Sequence, residues 1–301
     1  MLTSIKTKLK QYIERTVDKK IEQTLPILYQ LVDFRSSPEE ERQSYYERIR
    51  NHKELKNRFI NSGIPVEEID VSIQDFENWL TKFPEIRKHY SDSEDVTIEK
   101  CLEHYLTYKH LNVTEDDVFI DIAASGSPWA NILSNLGVKS YRLDITYPKG
   151  IHRINIGADA ADTKLPNNFA SILALHCAFE CFMGDADLLF IREASRILRN
   201  GGRLGIVPLY CDDTYLVLTS PYCDQRLVSI EPGAKRVWRD DKYKEPFSRH
   251  YSPEVFAKRI YSELGNNVKG KLLYIGNIDE LVERYKGQRI YCHFMFYCQK
   301  L

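Results

Sequence analysis

The chain has 301 residues, enough to bury a full core as one large domain or two modest ones. Its 42 Lys and Arg stand against 43 Asp and Glu, which excludes a global positive field of the kind that holds a protein on a nucleic-acid backbone. Seven Cys are scattered along it, and three residues separate Cys177 from Cys181 where a zinc knuckle or thioredoxin motif has two, so no metal site is expected and the thiols read as reduced, in a cytoplasmic protein.

Residues 1–92 have a helical pattern and form an expected N-terminal extension. Ile5, Leu9, Tyr12, Ile13, Val17 and Ile21 recur at helical spacing, and Pro26 is expected to kink or end that helix. Ser37-Pro38 followed by Glu40 is a capping signature for a second helix carrying Tyr45, Tyr46, Ile49, Leu55 and Phe59. Pro65 is read as opening a third, with Ile69, Ile73, Phe76 and Trp79 on one side. These apolar stripes read as core. Residues 1–20 carry six Lys/Arg against two acids, an excess that suits either a solvated helix face or an anionic membrane surface. They supply no uninterrupted apolar stretch, so no secretory signal is expected, and the apolar run from Asn167, interrupted by His176 and Glu180, fits a buried strand rather than a bilayer span.

Beyond a helix over residues 97–111 the pattern changes. "DVFIDIA", "KSYRLDI", "RINIGAD", "FASILAL" and "GGRLGIVPLY" are apolar, β-branched runs spaced by helix-sized segments, which implies parallel strands joined by crossovers. The helix in "DADLLFIREASRILRNGG" is expected to stop on Gly201-Gly202. "KLLYIGN" and "RIYCHFMFYCQK" complete a seven-stranded, mostly parallel sheet, an α/β fold over residues 93–301.

In such a sheet ligands bind at the carboxyl ends of the strands. "AASGS", Ala123 to Ser127, follows the first strand and its closing Asp121, and its small side chains let a ligand lie against the main chain, although tight strand-to-helix packing selects small residues too. Asp144 closes the second strand, where a carboxylate accepts both hydroxyls of a ribose. Asp159 ends the third, placed to accept from an adenine amino group, and His176 ends the fourth.

Over residues 97–301 the sequence resembles the class I S-adenosylmethionine-dependent methyltransferases. Asp121 and "AASGS" match the family's acid and glycine-rich loop, "LPNNFASILALHCAFEC" its passage around strand four, and "LRNGGRL", Leu198 to Leu204, its "LKPGGRL". The loop departs from the pattern: three family glycines fall on Ala123, Ser125 and Ser127, and Gly126 remains. The resemblance implies a Rossmann-like fold and S-adenosylmethionine held by Asp121, Ala123, Ala124, Ser125, Gly126, Asp144, Ile145, Asp159, Ala160 and His176. An NAD-binding domain would require G-x-G-x-x-G and a P-loop G-x-x-x-x-G-K-[ST]; neither is present.

Methyl transfer to a hydroxyl or amine needs alignment and, for a hydroxyl, a base. Candidates are His176 and Glu180 after strand four, Tyr210 after strand five, and His250 in "FSRHYSPEVF", with Asp212 and Tyr251 beside them. Residues 211–251 form a long, Tyr-, Asp- and Arg-rich insertion read as a substrate roof. Its polarity favours a polar small-molecule acceptor such as a sugar or peptide-like metabolite. The alternatives are a non-catalytic binding or scaffold protein and a nucleic-acid methyltransferase; the latter would want a basic stripe and an "NPPY"-like element where this chain has "LHCAFE".

Overall fold

A computed structural model describes residues 2–38, 42–43, 51–239 and 244–301. In chain order the elements are α1 (Leu2–Ser36), β1 (Arg42–Gln43), α2 (His52–Asn61), β2 (Val66–Ile69), α3 (Ile73–Lys82), α4 (Pro84–His89), α5 (Thr97–His110), β3 (Val118–Ile122), α6 (Trp129–Asn135), β4 (Lys139–His152) and β5 (Asn155–Gly157). Then follow β6 (Ala170–His176), α7 (Ala186–Ile197), β7 (Leu198–Val207), β8 (Leu216–Thr219), β9 (Lys235–Arg239), β10 (Ser248–His250), α8 (Pro253–Arg259), β11 (Val268–Ile275), α9 (Ile278–Arg284) and β12 (Phe294–Lys300). The chain divides into two compact units: residues 1–48 with 216–248, and residues 49–215 with 249–301. The division therefore falls at residue 48 and not at 92, and most of the 211–251 insertion belongs with the N-terminal segment.

The larger unit is built on an eight-stranded sheet, ordered β2-β11-β12-β7-β6-β3-β4-β5. β3 pairs in parallel with both β4 and β6, and β6 with β7, while β12 runs antiparallel to its neighbours β7 and β11. All seven expected strands are present. The eighth, β2, lies where the third helix was expected. Pro65 gives its carbonyl to Leu272 N–H at 2.8 Å, and β2 then pairs in parallel with β11 at the sheet edge. A proline opening an edge strand sacrifices no ladder bond, and Glu67 and Glu68, ion-paired to Lys271 and Lys56, place charge on that edge. The helix starts later, at Ile73, capped by the Ser72 hydroxyl accepting from Asp75 N–H.

α5 packs on β6 and β7, and α6 on β3 and β4. Phe76, Trp79, Phe83, Tyr105 and Trp129 interlock, with ring centroids 5.1 Å apart for Trp79 and Phe83 and 5.7 Å for Trp79 and Trp129. The Phe76 and Trp79 stripe is core as expected, as are Leu55 and Phe59 on α2. α7 stops at Ile197, and Gly201-Gly202 lie inside β7, where pairing with β6 shifts register; they do not cap the helix.

In the smaller unit α1 runs through Pro26 without ending, because the helix continues to Ser36 on both sides of it. The stripe expected to be core is exposed here: Tyr12 69%, Ile13 51%, Val17 47% and Ile21 47%. Near its end, Gln30 Nε2 donates to Cys223 O at 2.6 Å and Phe34 meets the Trp238 ring edge at 6.4 Å. β8 and β9 pair in parallel, and β1 adds to β9. Tyr45, Tyr46 and Ile49 of the expected second helix, and its capping Glu40, lie outside the described residues. Among the described residues no helix is long and apolar enough to cross a membrane.

Candidate functional site

Strand order reverses at β3, which has β4 on one side and β6 on the other. The crevice outside the carboxyl ends of these strands is where an open α/β sheet binds its ligand. Asp121 from β3 and His176 from β6 bridge it: His176 Nδ1 is 3.1 Å from Asp121 Oδ1, and His176 Nε2 is 2.9 Å from Thr107 Oγ1 on α5. A carboxylate only accepts, so Nδ1 carries the proton. Both ring nitrogens are engaged, which suits a positioning role better than proton exchange. Asp121 Oδ2 is buried and has no partner.

The turn after β3 has Ala123, Ser125 and Gly126 in the left-handed region, with φ of +53°, +32° and +91°. The two non-glycine residues hold this conformation at a cost of roughly 1 kcal/mol each, strain of the kind that gathers at ligand sites. A Cβ built on Gly126 would meet nothing within 4 Å, so the main chain there is bare. Asp144, expected to close its strand, lies inside β4, just before the strand bends back on β5, and fastens this turn: Oδ2 accepts Ser125 N–H at 2.9 Å, and Oδ1 accepts Thr146 N–H and hydroxyl at 2.9 and 2.6 Å. Tyr147 OH accepts Gly126 N–H at 3.0 Å. β5 pairs first with Arg142 to Asp144 and again with the returning 149–152 limb. Gly157 lies under that limb's turn, its hypothetical Cβ 1.9 Å from Pro148 O. Asp159 is exposed and caps its own turn through Ala161 N–H at 2.8 Å, while Ala160 is buried and Ile145 is 72% exposed.

Beyond Asp121 lies a buried polar cluster. α5 turns Glu99, Lys100, Glu103, His104 and Thr107 inward on one face. Lys100 Nζ bonds Glu103 Oε1 at 2.8 Å. Burial pulls the Lys100 ammonium down, but the Cys177 sulfur and Glu103 carboxylate outweigh it and raise its pKa well above the ordinary value. Glu99 Oε2 accepts the Tyr291 and Cys292 N–H groups at 3.0 and 3.3 Å, and burial still raises its pKa to about 8. After β6, Cys177 Sγ lies 3.0 Å from Tyr210 OH and 3.6 Å from Glu180 Oε1. Burial raises the Cys177 thiol to about 12 and Glu180 to about 7. The second oxygens, Glu99 Oε1 and Glu180 Oε2, are buried without a partner.

Tyr251 N–H donates to Tyr210 O and Asp212 N–H to Tyr251 O, at 3.1 and 2.9 Å, which carries His250 to a ring distance of 5.4 Å from Tyr210. Of the four residues chosen as candidate acids and bases, Glu180, Tyr210 and His250 are linked in this way through Cys177, although His250 and Tyr210 are 1% and 3% exposed, while His176 faces Asp121 and Thr107. Glu99, Lys100, Glu103, Cys177 and Tyr291 were not chosen from sequence. The available signal was the 99/103 and 100/104/107 spacing on α5, which reads equally as a solvated face.

A cleft of about 1340 Å³ lined by Arg87, Thr97, Ile98, Asp279, Tyr285 and Gln288, among others, shares no residue with this cluster. The site is placed at the crevice because strand order reverses there. No protein-family model and no curated protein matches the chain. Among solved structures it is similar to a Burkholderia thailandensis 1,6-didemethyltoxoflavin-N1-methyltransferase with bound 1,6-didemethyltoxoflavin and S-adenosylhomocysteine, at 11% identity and a TM-score of 0.44 over 78% of this chain and 93% of that one. It is also similar to S-adenosylmethionine-dependent methyltransferases from Mesorhizobium loti, at 14% identity and 0.41 over 65% and 97%, and from Methanosarcina mazei, at 14% and 0.39 over 64% and 96%.

Proposed function

We propose that this chain is an S-adenosylmethionine-dependent methyltransferase acting on a polar small-molecule acceptor in a reducing, cytoplasmic setting. The carrying observation is that a bare, strained turn and a buried carboxyl with an unpartnered oxygen meet at the point where strand order reverses. The residues present fit the cofactor. Ser125 and Gly126 are exposed beside it, Asp144 inside β4 and Asp159 just after β5 offer carboxylates to ribose and adenine, and Asp121 Oδ2 is an acceptor without a donor.

When bound, the cofactor supplies a methyl group already activated on a sulfonium, so the protein mainly aligns and desolvates. His176 fixes the Asp121 carboxylate through Nδ1 and is itself fixed by Thr107. Tyr210, held by Cys177, and His250 behind it wall the acceptor side. Glu180, with its pKa at about 7, takes the acceptor's proton on Oε2, a contribution of roughly 10² to 10⁴-fold. Seven free thiols, Cys101, Cys211, Cys292 and Cys298 buried among them, accord with the reducing setting.

Calorimetry tests the reading: S-adenosylhomocysteine is expected to bind and NAD not to. Asp144→Ala should weaken binding by about 1 to 3 kcal/mol, the worth of hydrogen bonds to a charged group. Binding of NAD alone, or no binding of either, would overturn it.

A further inference from the structure

The turn after β3 departs from glycine at two of the three positions where its backbone is left-handed. Ala123 and Ser125 hold φ of +53° and +32° beside Gly126 at +91°, a conformation that glycine adopts freely and residues with a Cβ do not. Something outside the turn must therefore hold it. Three successive amides of the turn are taken by one short stretch of β4: Ala124 N–H donates to Leu143 O at 3.1 Å, Ser125 N–H to Asp144 Oδ2 at 2.9 Å and Gly126 N–H to Tyr147 OH at 3.0 Å. Leu143 lies opposite Ile122 in the sheet, but Tyr147 comes from the bend between the two limbs of β4 that pair with β5. That bend is itself anchored. The Arg142 guanidinium lies 5.5 Å from the centre of the Tyr147 ring and is tied through Nε to Asn155 Oδ1 at 2.6 Å, and Pro148 O rests over the α-carbon of Gly157, where no side chain intervenes.

We propose that Tyr147 is a positioning residue for the cofactor, whose hydroxyl braces the left-handed turn and does for an Ala- and Ser-containing turn what glycine would do unaided. The inference rests on the methyl-transfer reading above. Asp121, whose buried Oδ2 has no partner, precedes the same turn by one residue, so a change in the turn's shape changes the floor on which the ligand lies. A turn already in its binding conformation spares the ligand the cost of ordering it, and affinity falls in proportion to the fraction of molecules whose turn has relaxed. Tyr147 is half-buried and its neighbours in the bend are exposed, so removing the hydroxyl takes away the brace and leaves the core intact.

The test compares the full chain with Tyr147→Phe, which keeps the ring. Without ligand, hydrogen exchange at the Gly126 amide should rise about three- to tenfold, the worth of one hydrogen bond, and in calorimetry S-adenosylhomocysteine should bind more weakly by a similar factor. Adding Ala123→Gly and Ser125→Gly to Tyr147→Phe should restore most of that affinity, because the turn then forms without the brace. Melting checks that each variant is folded; where the glycine pair does not melt cooperatively, Ser125→Gly alone carries the comparison. A hydroxyl that touched the ligand directly would not be replaced by glycines, so a loss that the glycines leave standing overturns the proposal. Unchanged exchange at Gly126 in Tyr147→Phe overturns it too, as does unchanged or tighter binding, the latter marking the hydroxyl as a competitor for the ligand's place. Failure of S-adenosylhomocysteine to bind the parent would instead sink the methyl-transfer reading, and exchange at Gly126, read without ligand, still decides whether Tyr147 braces the turn.

Discussion

Glu99 illustrates how one side chain changes meaning between sequence and fold. On α5 it looks solvated, yet it is fully buried, and burial raises its pKa from 4.5 to about 8. A carboxyl whose folded pKa is raised favours the folded state most below its unfolded pKa, and that contribution is lost as pH climbs through the folded value. Stability is therefore expected to fall between about pH 4.5 and pH 8 from this group. Glu99→Gln should match the parent most nearly near pH 5 and exceed its stability by on the order of 2 to 4 kcal/mol near pH 9. Urea unfolding across that range checks it, and a stability difference independent of pH would contradict it. Glu180, raised to about 7 by the same cause, contributes with the same sign. Asp121, Asp144 and Asp159 were legible because strand ends are marked in the sequence by period and length; Glu99 and Lys100 were not, because helical spacing does not say which face turns inward.

Gly157 belongs to the element scale. It carries the turn at Tyr147-Pro148 directly over its α-carbon, and any Cβ would sit 1.9 Å from a backbone oxygen. Gly157→Ala must displace that turn, and with it the Asp144 bonds to Thr146. A loss of about 3 kcal/mol or more is expected in denaturant unfolding. Gly126→Ala, with open space around the site of its Cβ and only its φ of +91° against it, should cost about 1 to 2 kcal/mol. Equal costs at the two positions would refute the account. The misread strand β2 has a related cause. "VEEI" is too short to show alternation, and what makes it a strand is the open edge of β11, where Val66 pairs with Leu272, 206 residues further along the chain.

For the whole molecule, the division at residue 48 changes what a truncation does. A chain beginning at residue 93 loses β2 and the Phe76, Trp79 and Phe83 wall that buries Trp129. Each large aromatic removed forfeits about 1.5 to 3 kcal/mol of burial, which together exceeds much of a typical domain's net stability. That chain is expected to be insoluble or molten. A chain beginning at residue 49 keeps all eight strands and should melt cooperatively. Soluble yield and circular-dichroism melting distinguish them, and a folded chain from residue 93 would show the N-terminal segment to be accessory.

The sequence by itself determined the α/β class, seven strands, the order of acids along their ends, and the small-residue turn, because alternation of buried strands with helices and the chemistry of tight turns are local properties. It also carried the resemblance to a methyltransferase family. Tertiary structure alone decided that β2 joins the sheet, that residues 216–248 pair with the N-terminal segment, and that the polar face of α5 is buried against Cys177, Glu180 and Tyr291. Those outcomes depend on partners far away in the chain. The free energy of burying a charged face is set by what it meets, and nothing within a helical turn of Glu99 records that it will meet the Tyr291 and Cys292 N–H groups.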